Sequence, residues 1–151
     1  MITIGTLDEL TALIDRHESL FVRWSRGPEA DAAGMSRDDL TGMRMPGLSA
    51  NPLAVEEWWG ERSPRLWVAR RLHDYSHLKH DKGPGVRPWV LEGKELGRGP
   101  DNEPLVDCRR PIAWIADDVL VEAERLIADQ RGGWGPLRRP EGTGGPGAGP
   151  A

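Results

Sequence analysis

The chain has 151 residues and a net charge of −4, with Gly 19, Pro 13, seven Trp, one Tyr, one Phe and one Cys. That length suits a single domain able to bury most of its surface without a disulfide or metal staple, and a lone cysteine excludes an internal disulfide framework. No apolar run approaches the roughly 18 residues of a membrane span, the Trp- and Leu/Val-rich middle excludes a wholly disordered chain, and the acidic balance disfavours nucleic acid as a partner.

Met1 leads into a polar, acidic segment without a basic n-region, so no secretory signal and a cytoplasmic location are expected. Thr6-Leu7-Asp8-Glu9 has the form of a capping box, and Leu7, Leu10, Leu13 and Ile14 then recur at helical spacing, which predicts a helix over about 7–17. Leu20-Phe21-Val22-Arg23-Trp24 predicts a strand that ends at the breaker cluster Ser25-Arg26-Gly27-Pro28. Residues 28–47 read as a polar loop with a short helical turn after Ser36. Leu48-Ser49 reads as a strand end. Asn51 as N-cap and Pro52 at the first helical position predict a helix over 52–60. Residues 65–72 alternate partly through Leu66 and Val68 and read as a strand. Strands are also expected at Val86–Leu91, with Pro88 marking an edge, at Leu105–Cys108 and at Ile112–Ile115. Gly97 to Asn102 reads as a loop. Asp117 is the expected cap of a closing helix to about Gln130.

Short strands with flanking N-terminal and C-terminal helices and no βα alternation give an α+β class with a small mixed or antiparallel sheet. The expected domain is 1–130. Residues 131–151 hold 8 Gly and 4 Pro and are expected to form a disordered tail.

Charge is uneven: residues 1–61 carry net −6, 62–110 net +4 and 111–151 net −2, so the middle third is the place for a local anion site. Of the 20 basic residues 17 are Arg. A GC-rich genome or bidentate phosphate contacts would each produce that bias, and the many Ala, Gly and Pro favour the first.

His73, His77 and His80 fall on one face if their segment is helical, a spacing that suits zinc. Solvated imidazoles are the plainer reading, and no metal is expected. Cys108 stands beside Arg109 and Arg110, which would lower its pKa. Strand alternation instead lets it point inward as a small apolar residue. Trp24, Trp67, Trp89 and Trp114 lie in strand-like runs and read as core. Trp58 and Trp59 are adjacent, so one is partly exposed, and Trp134 lies in the tail.

Three short motifs stand in order along the chain: Arg23-Trp24-Ser25-Arg26, Leu48-Ser49-Ala50-Asn51 and Asp101-Asn102-Glu103 before a late strand. This order resembles the Arg–Ser–Glu pattern of the mono-ADP-ribosyltransferase fold. The resemblance implies NAD as cofactor, with Arg23 on its phosphate or ribose and Arg26 beside it. It implies that Ser49 orders the site's hydrogen bonds and that Trp58 or Trp59 flanks the nicotinamide. Glu103 would be the catalytic carboxylate stabilising an oxocarbenium-like centre, with Asp101 facing the acceptor. The usual Ser-x-Ser is Ser49-Ala50-Asn51 here, and the usual Glu-x-Glu is Asp101-Asn102-Glu103. The same residues also have a structural reading. Arg23 pairs with a carboxylate, Ser49 and Asn51 cap a helix, and Asp101-Asn102 form a turn. At whole-chain level, residues 22–28, 48–53, 67–75 and 97–106 resemble an actinobacterial domain-of-unknown-function family, which implies a small stand-alone cytoplasmic protein. Two functions follow as expectations. One is an active or degenerate ADP-ribosyltransferase-like domain binding a nucleotide. The other is a non-enzymatic module that binds protein through an exposed Trp surface.

Overall fold

The computed structural model describes residues 1–34, 47–74, 83–100 and 102–129. The turn after Ser36, residues His77, His80, Asp101 and Trp134 and the whole tail lie outside these described residues. The elements are β1 (Ile2–Ile4), α1 (Leu7–Arg16), β2 (Leu20–Ser25), α2 (Pro28–Gly34), β3 (Leu48–Ser49), β4 (Asn51–Pro52), α3 (Pro64–Asp74), β5 (Arg87–Arg98), β6 (Pro104–Ile115) and α4 (Asp117–Ala128). The class is α+β with a mixed sheet. β1 runs parallel to β6, and the other pairings are antiparallel.

The spine is the β5–β6 hairpin. Its register shifts at Val90/Leu91, Glu92/Gly93 and Glu95/Gly97, and each irregularity bends the ribbon and adds twist. Gly93 makes one of these bends possible, because a Cβ there would stand 2.6 Å from the Asp107 carbonyl oxygen. The sheet order is β1-β6-β5-β2-β4, and β3 pairs back onto β6. Since Ala50 alone separates β3 from β4, the sheet curls until its two ends share one short segment. The Ala50 amide donates to the Pro104 carbonyl at 3.2 Å.

Curling gives the sheet two unlike faces. On the convex face Leu20, Val22, Val90, Ala113 and Ile115 pack under α1, α3 and α4. On the concave face Phe21, Trp89, Leu91 and Val106 form a second cluster, with Leu48, Cys108 and Trp114 at its margin. Alternation along β2 therefore sends Phe21, Arg23 and Ser25 into the concave side.

Several expectations change. Residues 65–72 are helix, not strand. Ser63 Oγ accepts the Leu66 amide at 3.3 Å and Pro64 opens the helix. Leu66, Trp67, Val68, Ala69 and Leu72 are all buried, so the apparent alternation came from a helix enclosed on several sides. The expected 52–60 helix is absent. Asn51 and Pro52 pair with Val22 and Phe21 as an edge strand, where a missing N–H is tolerated, and only Glu57–Trp59 forms a helical turn. Residues 28–34 are helix rather than loop, with Pro28 at the first position. Leu105–Cys108 and Ile112–Ile115 belong to one strand, because Pro111 falls beside a register shift. β5 extends through Gly97 to Arg98. It lies inside the sheet, so Pro88 does not mark an edge. Ala116, not Asp117, caps α4. β1 was not anticipated.

The capping box at Thr6 is as expected, with Thr6 Oγ1 accepting the Glu9 amide at 3.1 Å. A second cap comes from afar: the Leu7 amide donates to Glu122 Oε1 at 3.0 Å. Arg65 joins this contact through Glu122 Oε2 and also meets Asp8 at 3.0 Å. The Leu7 amide holds the Glu122 carboxyl below its ordinary value of 4.5, against the effect of burial, and Arg65 adds to the lowering. A depressed carboxylate stabilises the fold above its unfolded pKa, and that contribution is lost as pH falls through the folded value. Glu122→Gln should therefore lower stability at pH 7 by about 1 kcal/mol, a charge-assisted bond discounted for the partial exposure of the carboxylate. Thermal unfolding should show the gap to wild type closing as pH falls below 4.5.

Candidate functional site

The concave face carries a buried polar network. Arg23 is 7% exposed and sits mid-strand in β2. Its Nε donates to Asp31 Oδ2 at 2.7 Å and its Nη2 to Asp31 Oδ1 at 3.2 Å, a bidentate fork. Its Nη1 donates to the Ser49 carbonyl at 2.8 Å. Ser25 is the hub beside it. The hydroxyl donates to Asp31 Oδ2 at 2.7 Å and accepts the Trp89 indole N–H at 2.8 Å and the Gly27 amide at 3.1 Å. Asp31 reaches this network because α2 starts directly after the Gly27 turn.

Of the residues singled out in the sequence, the structure brings Arg23 and Ser49 together, but through the Ser49 backbone rather than its hydroxyl. Ser49 pairs with Leu105, and Glu103 stands directly before the first residue of that neighbouring strand, Pro104. The Glu103 side chain is half-buried and packs over Gly99. The hairpin tip there turns through Asn102 at φ 61° and a Gly99 amide bond to the Glu103 carbonyl of 2.8 Å. Trp58 is not part of this group. It belongs to the convex side, its ring 5.4 Å from Trp67 and 6.0 Å from Trp59, and its indole N–H bonds Glu56 at 2.8 Å. The structural reading of Arg23 as a carboxylate partner holds. Ser49 and Asn51 do not cap a helix, since both lie in strands.

Arg26 stands at the open end of the same face. It lines a cleft of about 550 Å³ with Met1, Gly27, Pro28, Glu29, Pro111 and Trp114. Its Nε donates to the Pro84 carbonyl at 3.0 Å, which fixes the guanidinium at the rim. Trp114 is half-buried, and exposed Arg87 lies over its ring at 4.5 Å. Gly27 has φ 117°, and a Cβ there would lie 2.8 Å from the Trp114 ring, so glycine is what lets the turn pass under the indole. The cleft thus offers an indole with Arg87 over its ring, the Arg26 guanidinium, the Glu29 carboxylate and apolar walls of Pro and Met.

A second cleft of about 460 Å³ is lined by Glu18, Glu92 and Glu95 with Lys94 and Arg109. Its three carboxylates make it a poorer place for an anion. His73 is exposed on α3, and among the described residues no cluster of ligating side chains is placed to hold a metal. Cys108 points to the concave side. Burial raises its thiol pKa, the Arg110 backbone bond lowers it and Asp107 and Asp31 raise it further, so the net shift is opposite to the lowering expected from its Arg neighbours.

Sequence reasoning missed Asp31, Arg87 and the exposure of Trp114. Alternation in β5 put Arg87 on the face of Trp89, the one signal available. No helix among the described residues is long and apolar enough to cross a membrane.

The chain belongs to a family of unknown function, DUF6098, whose model matches residues 1–135. No curated protein and no solved structure matches it.

The Ser25 hydroxyl should prove costly to remove. Ser25→Ala leaves the Trp89 and Gly27 donors without their acceptor in a buried setting. The expected loss is about 2–3 kcal/mol, read as a lower denaturant midpoint at unchanged slope. A loss below 0.5 kcal/mol would contradict the network's importance.

Proposed function

We propose that this DUF6098 protein is a nucleotide-binding domain that takes its ligand on the concave face, with the base at Trp114. The observation that carries the reading is the cleft itself. A half-buried indole, Arg87 at 4.5 Å over its ring and Arg26 at the rim combine a stacking surface with guanidinium donors. Aromatic stacking holds a base of any identity, and guanidinium groups hold phosphate. The volume of about 550 Å³ falls within the range of small-molecule sites. Arg26 is the residue placed to meet the phosphate in this reading, and NAD is the dinucleotide to test first.

The group-transfer reading rests on the Arg23–Ser49 contact and the nearness of the Glu103 backbone to Ser49. It requires Arg23 to exchange Asp31 for ligand. For that reason binding, not transfer, is the function the geometry supports best. A protein-binding Trp surface has less behind it, because among the described residues each Trp side chain is buried or half-buried. A cytoplasmic setting fits the single, partly buried Cys108.

Calorimetric titration checks the proposal. Wild type should bind adenosine, AMP and NAD, and Trp114→Leu should weaken each about tenfold or more, the scale of one lost stacking contact. Arg87→Ala should weaken AMP more than adenosine. Absence of binding by all three ligands at millimolar concentration would overturn it.

A further inference from the structure

We infer that Asp31 is the resident occupant of an anion seat on Arg23, and that the phosphate of a nucleotide entering from the Trp114 cleft displaces it. The inference rests on the nucleotide reading and adds a built-in competitor to it. Three observations carry it.

First, the Arg23 fork holds both oxygens of Asp31 with side chains only 8% and 11% exposed. A guanidinium fork fits carboxylate and phosphate by the same two-pronged geometry. Stripping a buried guanidinium of its anion is strongly unfavourable, whereas exchanging one anion for another keeps the charge paired throughout. Arg23 therefore demands an anion without demanding Asp31.

Second, the Asp31 carboxylate ties the first turn of α2 to β2. Asp31 bonds Arg23 and Ser25, and its own amide returns to the Gly27 carbonyl at 3.0 Å. The described side chains beside it, Pro28, Glu29 and Ala30, are half-buried or exposed, so displacing the carboxylate would free this first turn from β2.

Third, the seat and the cleft adjoin. Pro28 and Glu29, at the start of α2, line the cleft. Trp89 pairs with Trp114 on one side and with Arg23 on the other. At about 4.8 Å per strand step, the backbone of Arg23 lies roughly 10 Å from that of Trp114 across the face. Arg23 lies behind the rim rather than in the cleft lining, so the phosphate of a ligand on Trp114 reaches it only as Asp31 and the first turn of α2 yield. There the Ser25 hydroxyl, which now donates to Asp31, would donate to the newcomer.

The test compares ligands with and without phosphate. Adenosine, AMP and inorganic pyrophosphate are titrated into wild type, Asp31→Asn and the double variant Arg23→Lys/Asp31→Asn. Asp31→Asn should raise AMP and pyrophosphate affinity tenfold or more and leave adenosine unchanged, and the double variant should lose the gain. No gain in Asp31→Asn overturns the inference. If that variant does not fold, amide exchange of wild type decides. AMP or pyrophosphate should speed exchange across 28–34 while adenosine does not. Unchanged exchange with both phosphate ligands overturns it. The base-binding reading fails separately, through absence of adenosine binding by wild type, because pyrophosphate reports the seat without any ring.

Discussion

The molecule is organised by the bending of one hairpin. β5 and β6 are each 12 residues long, and a straight ribbon of that length would stand clear of any small domain. Its register shifts turn it back on itself, and β3 then reaches β6 while β4 holds β2. That closure needs close backbone approach, which Gly93 allows. Everything else follows from the curl. The convex face takes three helices and most of the apolar side chains. The concave face receives the short α2 and closes over a smaller cluster.

Burial on that face constrains its polar groups. Arg23 alternates inward with Phe21 and Ser25 and is buried with them, so it must find an anion. Asp31 supplies it, Ser25 braces both, and Trp89 and Gly27 spend their donors on Ser25. Where the face opens, at Trp114 and Arg26, the same surface becomes accessible. Buried network and open cleft are thus two ends of one strip. This is why a residue pattern suggestive of a nucleotide enzyme also reads as a set of folding contacts.

Local signals were legible where the deciding interactions are local. Thr6 and Glu9 specify the start of α1, and the apolar spacing of Leu7, Leu10 and Ile14 gives its buried face. β2 was plain from its β-rich run. Legibility failed where distant partners decide. Asn51-Pro52 carries a helix-start signal, yet pairing with β2 prevails. Pro111 looks like a strand end, yet a bulge accommodates it inside β6. Residues 65–72 misled because a helix buried on several sides has lost its amphipathic period. In the site, Arg23 was found but its partner was not, since a short polar helix after Gly27-Pro28 resembles a loop. Trp114 and Arg87 needed the cross-strand register to reveal them as one stacked pair.

Nucleotide binding at the open end of the concave face is tested most directly by amide and indole shift mapping by NMR, with AMP added to the wild-type chain. The largest shifts should fall on the Trp114 indole N–H and on the amides of Arg26 and Gly27. Shifts confined to the Glu18–Glu92 cleft or to the Trp58 side, or no shifts at saturating AMP, would contradict it.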